Sequence, residues 1–204
     1  MTIDEMIDRI RALEEEIDQT IDKKRQQFNY QVQQRRVRFT QAVKAHHRQL
    51  KTGIFRYLVA SGFLSILFAP VVYMLIFPLL ILDIFVTVYQ FVCFPIYGIE
   101  PVKRAHFIAI DRHQLGYLNL IQKFNCIYCG YANGLLAYAR EIAGRSEEHW
   151  CPIKHAQRIK GQHRRYWEFA EFGDAQGLIG KESEIANKSR SRRDKDWSEH
   201  PDDN

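Results

Sequence analysis

Acidic residues are missing from Lys23 to Leu82, glycine does not occur before Gly53, and proline does not occur before Pro70. From Tyr57 to Gly98 charge itself is missing, apart from Asp83. Each absence excludes something. A soluble surface mixes signs, so an acid-free block holding Lys23, Lys24, Arg25, Arg35, Arg36, Arg38, Lys44, Arg48, Lys51 and Arg56 points to a negatively charged neighbour. The anionic cytoplasmic leaflet and nucleic acid are the two candidates. The start, MTIDEMIDRIRALEEE, lacks the apolar stretch of a cleavable secretory signal. No glycine-rich phosphate cradle, G-x-S-x-G elbow or H-E-x-x-H pair occurs, which removes the common nucleotide-binding, hydrolase and metalloprotease signatures.

The breaker-free stretch from 3 to 54 reads as one long helix, within a first segment bounded at residues 1–53. Met6, Ile17, Phe28, Phe39 and Leu50 are spaced by eleven, as are Ile10, Ile21, Val32, Val43 and Ile54. Eleven residues in three turns gives a nearly straight apolar stripe, coiled-coil-like with a gentle right-handed drift. A partner helix, from a second copy or another protein, is the first candidate to cover residues 6–54. The chain's own C-terminal part and a lipid surface are the others.

Residues 54–99 read as membrane-embedded. A spanning helix needs about 20 apolar residues, so the uncharged run can supply two, near 57–77 and 80–97, with a break at Pro78. Lys51 and Arg56 precede the run; Lys103 and Arg104 follow it. Positive flanks at both ends predict a transmembrane hairpin with both termini cytoplasmic. One pass with an interfacial piece is the alternative. Arg35, Arg36, Arg38, Lys44, Arg48, Lys51, Lys103 and Arg104 are then expected to meet anionic lipid headgroups, which in this setting are preferred over nucleic acid. Asp83 is costly in hydrocarbon, on the order of 3 kcal/mol, and the sequence offers it no intramembrane partner.

Residues 100–174 read as a small cytoplasmic helical module. LGYLNLIQKF and YANGLLAYAREIAG have helical spacing, with Gly144 as a C-cap, and 153–172 reads as a further helix bent at Gly161. Cys126, Cys129, Cys151 and His155 have the ligand types of a structural zinc site, or of iron. Closure within one chain requires the intervening helix to end near residue 143; a longer helix forbids it unless another subunit completes the site. Redox cycling of the Cys126–Cys129 pair at a helix start is the rival, and plain core packing is the third reading. Residues 175–204 are charged and serine-rich and read as a disordered tail.

The run IDRHQLGYLNLIQKFNCIYCGYANGLLAYAREIAGRSEEHWCPIKHA, preceded by LDIFVTVYQFVCFPIYGI, resembles a family of small bacterial inner-membrane proteins. The likeness covers residues 65 to 175 and implies bacterial origin and an inner-membrane location, with no activity, ligand or site residue. The expected whole is an all-α membrane protein: long N-terminal helix, membrane hairpin, metal-stapled module and tail. Its expected role is that of a membrane-anchored interaction or scaffold protein. A membrane-bound redox or metalloenzyme component using the CxxC pair is the alternative.

Overall fold

The computed structural model describes residues 3–28, 30–33 and 36–199, with side chains described for 5–28 and 39–193. The chain is predominantly helical and divides into two units, 1–66 with 110–127, and 67–109 with 128–204. In order it forms α1 (Ile3–Gln27), β1 (Tyr30–Gln33), β2 (Arg36–Phe39), α2 (Gln41–Gln49), α3 (Ile54–Ser61), α4 (Phe63–Met74), α5 (Ile76–Tyr97), α6 (Leu120–Trp150) and α7 (Ala175–Glu199).

In the first unit, the single helix expected over 3–54 stops at Gln27. Beyond it β1 and β2 pair antiparallel, with Tyr30 opposite Phe39 and Val32 opposite Val37. The cause is a change of period. Apolar and polar residues alternate over Tyr30–Gln33 and again over Arg36–Phe39, which suits strands and not a helix. The eleven-residue spacing continues across this change by coincidence of register. Phe39, His47 and Tyr117 meet edge to face, with centroids 5.1 and 4.9 Å apart. Arg35 lies outside the described residues, as do the side chains of Arg36 and Arg38. Lys44, Arg48 and Lys51 are exposed.

The second unit is built around α5. Gln90 grips the returning chain, accepting from the Val102 N–H at 2.8 Å and donating to the Val102 carbonyl at 3.3 Å. From Ile99 to Ala109 that segment runs back along the helix, and α6 then runs beside it in the same direction as α5. Tyr128 donates to the Val72 carbonyl at 2.7 Å near one end, and Tyr97 stacks on His149 near the other. Phe94, Val102, Leu135, Tyr138 and Ile142 form the core, flanked by Leu79, Val86, Tyr89, Phe107 and Ile108.

Two glycines of α6 serve close packing. A Cβ on Gly134 would sit 2.7 Å from the Phe107 carbonyl oxygen, so the returning segment can lie directly on the helix. Gly144, expected as a C-cap, is buried mid-helix, where a Cβ would come within 2.8 Å of the His163 ring. The helix therefore continues to Trp150.

Residues 153–172 form no long helix. Lys154 donates to the Ala170 carbonyl and Ala170 to that of Pro152, both at 2.8 Å, closing a loop around a short 3-10 turn at Arg164–Glu168. Within this loop Gly161 takes a left-handed φ of 77°. The tail is also corrected. Asp174 caps α7 by accepting from the Gly177 N–H at 2.9 Å, and Ser189 is buried against Gly98. Residues 200–204 of that segment lie outside the described residues.

Candidate functional site

The apolar run is the most unusual element, and its burial pattern decides how it is used. Among the described residues one helix, Phe63–Tyr97, is long and apolar enough to cross a membrane, with mean hydropathy 2.5 over its most apolar 18 residues. The expected reversal at Pro78 is absent: Leu75 keeps helical dihedrals, φ −62° and ψ −13°, between α4 and α5. Pro78 lacks an N–H for the Met74 carbonyl, which accounts for the one-residue irregularity without a turn.

Two stripes run along this helix. Tyr73, Ile76, Leu79, Asp83, Val86, Gln90, Phe94 and Tyr97 are shielded, at steps of three and four. The opposite stripe carries Phe77, Ile84, Phe85, Phe91 and Ile96, 59 to 81% exposed. Asp83 and Gln90, the acid and the amide of the shielded stripe, both have partners. Arg104 forms a two-pronged ion pair with Asp83, its second prong at 2.6 Å, and the Tyr131 hydroxyl donates to the same carboxylate at 2.8 Å. The Tyr138 hydroxyl accepts from Gln90 at 3.2 Å.

The electrostatics of this fastening are one-sided. Hydrogen bonding to Asp83 raises the pKa of the Arg104 guanidinium, against the opposing effect of burial. Burial, and then the Asp83 carboxylate, raise that of the Tyr131 phenol. Both groups therefore hold their protons across the physiological range, and the cluster acts as a fixed clamp. Arg104, expected to face lipid headgroups, is committed to Asp83. Lys103 is exposed.

The cysteine–histidine set does not converge within one chain. Cys126 and Cys129 lie on the same helix, and Cys151 follows its last residue, so Cys129 and Cys151 are separated by roughly 30 Å at about 1.5 Å per residue. His155 is near Cys151 in sequence, and its N–H donates to the Tyr166 hydroxyl at 2.7 Å. Among the described residues no three His, Cys, Asp or Glu side chains are grouped to hold a metal ion. The helix is the longer one that forbids closure.

Nor do Cys126 and Cys129 sit at a helix start, where the redox reading placed them. Cys126 is the seventh residue of α6, beyond the first turn where the helix dipole acts on a thiol. Residues three apart on a helix have Cβ atoms about 5–6 Å apart, against about 3.5–4.5 Å in a disulfide.

A second polar cluster, missed in the sequence, gathers at the end of α6. His163 and Glu147 approach to 2.8 Å, Arg165 donates to Glu148 at 2.8 Å, and Arg145 to Glu141 at 2.9 Å. No local pattern announces this cluster, because His163 pairs with Glu147 across 16 residues and Arg165 with Glu148 and Glu141 across 17 and 24. No family model, curated protein or solved structure matches the chain.

Proposed function

We propose that the chain is a membrane-anchored scaffold, held in lipid by the outer stripe of Phe63–Tyr97 and folded as a small module against its inner stripe. One observation carries this reading. No residue in the most apolar 18-residue window of that helix is fully buried by the protein itself. Each fully exposed large apolar side chain forgoes about 1.5–3 kcal/mol of burial, which lipid would supply.

The positive residues on both sides, Lys51 and Arg56 before and Lys103 after, support a cytoplasmic location for both ends at a bacterial inner membrane. On that topology the helix enters and lies along the cytoplasmic leaflet instead of crossing it. Lys44, Arg48 and Lys51 would then meet anionic headgroups. In the same reading α1 is an arm for a partner helix or a second copy, since Met6, Ile10, Leu13, Ile17 and Ile21 remain 42 to 58% exposed.

Extraction tests the anchor. Alkaline carbonate should leave the full-length protein in the membrane pellet, and detergent should release it. Complete release by carbonate would contradict the reading.

A further inference from the structure

A cavity of about 250 Å³ lies where α5 ends, lined by Glu100, by Arg145 and His149 of α6, by Arg165, and by Lys188 and Arg192 of α7. The close approach of Gly98 to Ser189 seats α7 against the end of α5. Ile185, Lys188, Ser189 and Arg192 recur at helical spacing, so this seat turns Lys188 and Arg192 toward the cavity.

Its charges do not balance. Glu100 lies 3.7 Å from Arg145 and 3.4 Å from Arg192, while Glu141 and Glu148 are taken by Arg145 and Arg165. Lys188 has no ion pair among the described residues, and it adds a positive charge to the lining. The Arg165 Nε and His149 Nδ1 atoms belong to side chains that line the cavity, and both are buried without a hydrogen-bond partner. A buried donor left unpaired costs about 1–3 kcal/mol, so Arg165 Nε calls for an acceptor, as does His149 Nδ1 in the tautomer that protonates it.

We propose that this cavity binds a phosphoryl anion, held by the lining side chains of Arg165, His149, Lys188 and Arg192. Guanidinium and ammonium groups around one small polar cavity suit tetrahedral phosphate oxygens better than a single carboxylate. Burial, together with the nearby Arg193 cation, lowers the His149 pKa, so its ring is neutral and can offer an N–H without a charge of its own. A lipid headgroup phosphodiester and a free phosphate share this chemistry. The cavity stands whether or not Phe63–Tyr97 enters lipid.

The test uses the full chain in dodecyl maltoside. Titration calorimetry with inorganic phosphate covers the free anion, and native mass spectrometry with phosphatidylglycerol against phosphatidylcholine covers the headgroup. The double variant Lys188→Gln, Arg192→Gln alters two lining side chains, and Lys181→Gln, outside the cavity, is the control. Saturable phosphate binding, or selective retention of phosphatidylglycerol, weakened at least tenfold by the double variant and unchanged by the control, supports the site and identifies the source. Absence of binding to both probes, or binding indifferent to the double variant, overturns it.

Discussion

Asp83 illustrates how a residue's cost depends on which face of a helix it occupies. On the outer stripe it would confront lipid unpaired; on the inner stripe it meets Arg104 and Tyr131. Asp83→Asn should destabilise the second unit by about 1–3 kcal/mol, because it leaves a half-exposed guanidinium without its carboxylate. Asp83→Asn combined with Arg104→Leu should recover part of that loss, since removing both partners leaves no orphaned charge. Thermal unfolding of the three proteins in one detergent measures both effects, and full additivity would contradict direct coupling. Gly144 gives a second check. Gly144→Ala should cost about 1–3 kcal/mol by forcing the His163 ring aside, whereas a true C-cap position would respond through helix length instead. Circular dichroism with urea titration separates these. Asp83 was conspicuous in the sequence, but its partners lie 21 and 48 residues away, and no local pattern announces them.

Elements were legible where one period ran uninterrupted and misleading where two overlapped. The apolar run, the 131–143 helix and its inner residues Leu135, Tyr138 and Ile142 follow from composition and helical spacing. The hairpin of β1 and β2 was hidden because eleven-residue spacing and two-residue alternation share positions such as Val32 and Phe39. The tail was misjudged because average composition conceals a cap at Asp174 and one docking face, Ile185 and Ser189, on an otherwise charged helix. The metal site depended on where α6 ends, and element ends are the least certain feature of any sequence pattern. Continuity of α6 carries its own prediction: under mild oxidation Cys126 and Cys129 should remain alkylatable by maleimide, Cys129 reacting faster because it is the more exposed. Quantitative Cys126–Cys129 disulfide formation without loss of helicity would contradict an intact helix at those positions.

At the scale of the whole molecule, two opposed faces of Phe63–Tyr97 do different work. The shielded face binds the returning chain and α6 through Phe94, Gln90 and the Asp83 clamp; the outer face has nothing in the protein to cover it. Lipid is the cover proposed for it. Spin labels placed singly at Ile84, Phe85, Val88 and Phe91, and at Val86 on the shielded face, measure this directly in the cysteine-free protein reconstituted into liposomes. The outer labels should collide strongly with oxygen and weakly with a water-soluble nickel chelate, with Val86 protected from both. Strong nickel collisions at the outer positions would place that face in water and contradict the account.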